Sequence, residues 1–317
     1  MTSRLLAGVA LAGLAAGPWV LGRDLLTALL FTFLLVTLAS NYDLLGGFLG
    51  LYNLGQASFF GLGAYVTFLL ILRLPGLAAG WGGVALATVA GAAAAAVAAA
   101  LLAYPLLRLR GAYFAVGTFA LLLMLRLLVD NLPGVTGGSH GLYVPVQVYL
   151  SLPTAYLLTL GLAAGSLALN RAVAASRLGM AMLAVRENEA AAAASGVDRF
   201  RTQQVAFVLG AVPTALAGAV FGLHGGYIDV SVVLGVERSL FPVIAAMLGG
   251  SGLAWGPVVG SVVLRTIDVG LKNYLHLAVP ALALYGVVLM VMALAMPRGI
   301  LALLEARRSG RRPARGP

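Results

Sequence analysis

The chain has 317 residues, 61% of them hydrophobic and only 9% charged, with a mean hydropathy of +1.01. Soluble globular proteins carry ~25% charged residues, so this chain cannot cover a water-facing surface and a soluble enzyme is excluded. The net charge of +10 comes largely from arginines in one central loop and in the last twenty residues. That pattern signals membrane topology and contact with anionic lipid, not nucleic-acid binding.

Spanning a bilayer takes ~20 apolar residues as a helix. Long unbroken apolar stretches fall at 5–22, 24–40, 57–72, 81–104, 111–129, 152–170, 203–224, 239–250, 254–271 and 278–296. A barrel would instead show ~10-residue segments of alternating hydrophobicity. The expected fold class is therefore all-α: one polytopic membrane helix bundle over residues 1–317, of about ten spans, with broken or re-entrant segments. The first stretch fits a signal peptide or a span, and retention as a span is the expectation. The eighth is short and contains Pro242, as a re-entrant helix would. The fifth holds Arg126, with Asp130 just past its end, and the ninth Arg265 and Asp268, at spacings that bring each pair onto one helical face for neutralisation. The abundant glycine, 41 residues, suits close helix packing in lipid. Trp19, Trp81 and Trp255 lie near span ends, where indole rings prefer to sit.

Placing the basic tail 299–317 inside assigns residues 1–4, 104–110, 171–202 and 297–317 to the cytoplasm. These hold 14 of the 20 basic residues, against 4 in the outer loops. The loops near 53–56 and 250–254 fall inside too, but they are uncharged and give no check.

Several chemistries are ruled out. There is no Cys, so thiolate metal sites, iron–sulfur clusters and cysteine nucleophiles are absent. The only Lys is Lys272, and no glycine-rich loop ends in Lys-Ser or Lys-Thr. Any ATPase must sit on another chain, and no cofactor is expected on this one. The histidines, His140, His224 and His276, form no zinc-peptidase motif. Gly137-Gly-Ser139-His-Gly141 has nucleophile-elbow spacing but no α/β sheet to sit in. Gly249-Gly-Ser251-Gly252 resembles an intramembrane serine protease motif, yet the next histidine, His276, falls about one membrane thickness away.

Breaks in the apolar pattern mark candidate sites. Residues 41–56 are rich in glycine and dotted with polar groups, Asp43 being the one charge. They read as a broken helix lining a pathway through Asn53, Gln56 and Ser58, or as a glycine-packed loop. Residues 225–238 hold Asp229, Glu237 and Arg238 and read as an outer gate, a binding-protein contact, or a solvated loop. Residues 171–202 form the one long polar stretch before the tail. Within it, 180–194 is a run of strong helix formers, with Ser176 as N-cap and Gly196 placed to end the helix. Leu178, Met182 and Val185 share a face, which suits docking on another protein, packing on the bundle itself, or lying in the lipid interface.

Six pieces, in order, carry a resemblance: Gly50–Tyr65, Arg108–Ala115, Thr136–Leu142, Ala184–Glu189, Leu248–Pro257 and Met296–Gly299. Together they resemble the permease subunits of branched-chain amino acid ABC transporters, of the LivM type. The resemblance implies that 171–202 is a coupling loop. Arg177, Arg186, Glu187, Asn188, Glu189, Ala190 and Gly196 would then contact an ATPase, although Met180 and Ala181 stand where the family often has an arginine. Tyr65 and Tyr113, inside two of the matching pieces, join the candidate pathway residues. It also implies a second related permease, two P-loop ATPases holding ATP-Mg, an extracytoplasmic binding protein, and a multi-pass place in the cell (inner) membrane. Related permeases carry urea, other amides or sugars, and an ion-gradient transporter is the rival outside the family.

Overall fold

A computed structural model describes residues 11–274 and 299–301. The long helices are α1 (Arg23–Gly46), α2 (Gln56–Arg73), α3 (Trp81–Leu106), α4 (Ala112–Asp130), α5 (Leu152–Ala174), α8 (Arg199–Gly225), α9 (Val236–Gly249) and α10 (Gly256–Tyr274). Two short helices, α6 (Arg177–Glu187) and α7 (Glu189–Ala194), join α5 to α8. A two-residue antiparallel pair, β1 (Leu142–Tyr143) and β2 (Tyr227–Ile228), ties two distant loops together.

Seven helical segments among the described residues are long and apolar enough to cross a membrane: α1 to α5, α8, and Val230–Gly249, which contains α9. This makes a multi-pass helical bundle but does not reach the expected count of about ten. The ninth stretch is helical as α10, about 28 Å long, yet it carries Arg265, Asp268 and Lys272. The first is helical at 11–15 and Gly17–Val20, where the Tyr156 hydroxyl of α5 donates to the Leu14 carbonyl at 2.8 Å. The stretch 278–296, His276, and the tail beyond 301 lie outside the described residues.

Small residues let α8 run against α2. A Cβ on Gly218 would strike the Phe60 carbonyl, and one on Gly63 the Ala215 carbonyl, so the two backbones nearly touch, as expected where lipid gives no apolar drive for packing. Four buried clusters form the core of the described residues, two of them large. One holds Phe60, Phe68 and Leu223; the other holds Phe59, Phe114, Phe207 and Met182. Phe59 and Phe207 meet edge-on at 5.2 Å, a favoured aromatic geometry.

The connections collect at two ends. At one, Arg73 donates to the Gly134 carbonyl at 3.2 Å, β1 pairs β2, and Leu150 N–H reaches the Leu223 carbonyl at 3.1 Å. At the other lie 47–55, the α3–α4 turn, 175–198, the α9–α10 turn and Gly299, which sits against Gly250. The uncharged loops near 53–56 and 250–254 thus join the same end as the central basic loop.

Three expectations are corrected. The break starts later than residue 41, because α1 continues helically through Gly46. There Ser40 and Asn41 are buried against α5 and α8, with Asn170 Nδ2 donating to the Ser40 carbonyl at 2.7 Å; tertiary partners override the weak local helix preference. Arg126 and Asp130 form no ion pair among the described residues: Asp130 lies at the end of α4, where Ser139 donates to it at 2.6 Å. Residues 225–238 are not a solvated loop. After β2 the chain turns inward, burying Val230, Val233 and Leu234, so α9 begins inside the bundle beside the start of α2. There Ala57 N–H donates to Ser239 Oγ at 2.9 Å.

Candidate functional site

The central loop folds from local signals. Ser176 Oγ accepts Gly179 N–H at 3.3 Å and starts α6, satisfying one of the orphan donors of the first turn. Gly196, at φ +82°, closes α7, and Val197 N–H returns to the Ala192 carbonyl at 3.0 Å in a Schellman arrangement. The single helix expected over 180–194 is in fact two. Asn188 is extended, and its Oδ1 accepts Ala190 and Ala191 N–H at 3.0 and 3.1 Å, capping α7. Glu189 then pairs with Arg199 at 3.1 Å and, more loosely, with Arg110 at 3.8 Å.

The Leu178, Met182 and Val185 face packs on the chain's own core, with Met182 fully buried. Of the readings left open, self-packing therefore holds for this face. The opposite face is bare: Met180 is 63% and Leu183 44% exposed, with Arg177 and Glu187 exposed beside them. Asn188 and Ala190 are exposed as well.

Arg186 is exposed on this surface yet reaches back to the bundle. Its guanidinium donates to the Gly47 carbonyl, and its side chain lies along Gly50. Four residues before Gly47, the Asp43 carboxylate accepts Gly252 N–H at 2.9 and 3.1 Å. One short network thus ties α6 to the break between α1 and α2, and that break to the α9–α10 turn. Sequence reading singled out Asp43 only as a lone charge; its partner is 209 residues away.

The candidate pathway residues divide. Asn53, Gln56, Ser58 and Tyr65 are all buried, whereas Tyr113 is 76% exposed at the start of α4. Gln56 Nε2 donates to the Leu38 carbonyl at 2.7 Å and approaches Thr214 Oγ1 at 3.4 Å, which Asn41 Nδ2 also approaches at 3.4 Å. Asn53 Oδ1 accepts Gly55 N–H at 2.9 Å, and Thr118 Oγ1 accepts Leu54 N–H at 3.1 Å. The unwound backbone is thus satisfied by protein. Asn41 Oδ1, Gln56 Oε1 and the Ser58 and Tyr65 hydroxyls have no hydrogen-bond partner among the described residues. Asn41 and Thr214 belong to this polar seam and were missed; polar side chains inside apolar runs were the available signal.

At the opposite end, Asp229 caps the turn Val230–Val233. Its Oδ1 accepts Val232 N–H at 2.6 Å and the Ser231 hydroxyl at 2.7 Å, and Tyr227 donates to Oδ2 at 3.0 Å. Burial alone would raise its pKa, but these donors hold the carboxyl below its ordinary 3.8. Glu237 is exposed. Arg238 turns inward, its Nε donating to the Val232 carbonyl at 3.3 Å and its guanidinium lying 4.3 Å from the Phe221 ring. No group of three His, Asp, Glu or Cys among the described residues could hold a metal.

Residues 25–296 match the family model described as branched-chain amino acid transport system / permease component. The high-affinity branched-chain amino acid transport system permease protein LivM of Salmonella typhimurium is 26% identical, over 91% of this chain and 72% of that protein. Escherichia coli LivM is 27% identical over the same shares. The permease protein LivH of Escherichia coli is 27% identical, over 86% of this chain and 95% of LivH. No solved structure matches significantly.

Proposed function

Because this chain belongs to the branched-chain amino acid transport system permease family, we propose that it is a pore-forming subunit of an ATP-driven importer for branched-chain amino acids. Its relatives include two distinct permeases, LivM and LivH, so a second, related permease completes the pore. Two P-loop ATPases holding ATP-Mg bind at the α6 end, which faces the cytoplasm together with the C-terminal tail. A substrate-binding protein delivers the amino acid at the end formed by β1 and β2. The chain itself transports and does no covalent chemistry.

The observation that supports this reading is the rigid link from the bare face of α6 into the bundle. Met182 and Val185 anchor α6 on the core, and Arg186 fastens it to Gly47. A push on Met180 and Leu183 is therefore transmitted to the 47–55 break and, through Asp43 and Gly252, to the α9–α10 turn. Packed interiors shift between discrete arrangements instead of deforming continuously, which suits switching between outward- and inward-facing states.

The test is co-purification of the tagged chain from native membranes in mild detergent. Near-stoichiometric P-loop ATPases and a second permease are expected. Leu183→Asp should lose the ATPases and keep the permease. A chain that comes out alone and stable would refute the importer reading and favour a gradient-driven carrier.

A further inference from the structure

Three charged residues that the sequence scatters over a gate and a span converge on one cavity of about 80 Å³. It lies between α1, α2, α9 and α10, and Arg238, Arg265 and Asp268 reach it. Its apolar side is built by Leu34, Leu35 and Leu38 of α1. The volume is several times the ~10–15 Å³ that one water needs, and Leu38 is also the residue whose carbonyl holds Gln56 of the polar seam.

The charges do not balance. Asp268 is bound to Arg265 at 2.6 Å. Arg238 makes no ion pair among the described residues. Its contacts are one carbonyl, at 3.3 Å, and the faces of Phe221 and Phe60, at 4.3 and 5.7 Å. Glu237 beside it in sequence is exposed. Arg265 Nε is buried with no hydrogen-bond partner among the described residues. Arg238 also occupies the first turn of α9, where a cation opposes the helix dipole and an anion would be favoured. The first turn of α2 lies alongside, through the Ala57 to Ser239 bond. A structural pair inside a membrane protein is expected to be neutral; among the described residues this site holds two arginines and one carboxylate.

We infer that this cavity is a transit site for a zwitterionic aliphatic amino acid, with its carboxylate on Arg238, its ammonium toward Asp268 and its side chain against Leu34, Leu35 and Leu38. The inference rests on the importer reading and adds to it a place inside this chain where substrate is recognised after release from the binding protein. A guanidinium fork can take a carboxylate through two parallel bonds, which a lysine cannot.

The test uses the assembled transporter in proteoliposomes with its binding protein, and reads leucine uptake, ATP hydrolysis and complex assembly together. Arg238→Gln should lower uptake on the order of tenfold or more, while assembly and hydrolysis stay at wild-type level; Arg238→Lys should recover part of it. Enlarging the cavity at its apolar wall by Leu35→Ala should change the ratio of valine to leucine uptake while Arg238 is intact. Wild-type uptake by Arg238→Gln, or parallel loss of uptake, assembly and hydrolysis, would overturn the transit site and leave the importer standing. A wild-type complex that imports no branched-chain amino acid would instead overturn the importer reading itself, and the site with it.

Discussion

Replacing Asn188 by alanine removes the device that separates α6 from α7. The Asn188 side-chain Oδ1 caps α7 by accepting two N–H groups, at 3.0 and 3.1 Å, and losing such a cap costs about 1 kcal/mol. Alanine also favours continued helix over asparagine by roughly 0.7 kcal/mol at most. A merged helix over 177–194 would pull Glu189 from Arg199, a cost of about 0.5 kcal/mol that wild type and variant share. The balance moves by somewhat over 1 kcal/mol toward the merged helix, on the order of tenfold in population. The assembled transporter in proteoliposomes should keep hydrolysing ATP while uptake per ATP falls several-fold. Asn188→Asp, an equivalent cap, should stay near wild type. If Asn188→Ala couples uptake to hydrolysis as well as the wild type, the broken shape of the loop has no part in transmission.

Two further predictions concern the bundle and its far end. Gly218→Ala places a methyl group on the Phe60 carbonyl and should destabilise by about 1–3 kcal/mol, read as a lowered thermal midpoint in detergent. Gly161→Ala, with open space around it, should not lower it. At Asp229 the folded pKa lies below the ordinary 3.8. Its stabilisation is therefore complete above 3.8 and is lost as pH falls through the lower folded value. Hydrogen exchange over residues 227–234 should accelerate on acidification in the wild type, and Asp229→Asn should remove that dependence; an unchanged pH profile in the variant would assign it to another group.

What could be read ahead of the structure followed the range of the interactions. Ser176, Gly196 and the Arg265–Asp268 pair were legible because capping and i,i+3 contacts are local. The helical character of the bundle was legible because apolar run length alone sets it. The inward fold of 229–235 was not, because Gly235 and the charges of Asp229 and Glu237 look like a loop until Leu234 is seen buried against Gly61. The continuation of α1 through Asn41 and Asp43 was hidden for the same reason: their partners, Thr214 and Gly252, are 173 and 209 residues away. The helical face of α6 was found, but periodicity could not tell whether the bundle itself or another protein covers it.

The central claim is that the bare face of α6 meets an ATPase, and the chain offers a clean way to test it because it contains no cysteine. Single substitutions Leu183→Cys and Met182→Cys would each introduce the only thiol, one on the exposed face and one in the core. Native membranes carrying each variant would be treated with a short thiol-to-amine crosslinker and the adducts identified by mass spectrometry. The account predicts a P-loop ATPase joined to Leu183→Cys and no adduct from Met182→Cys. No ATPase adduct from Leu183→Cys in membranes that still import amino acid would contradict it.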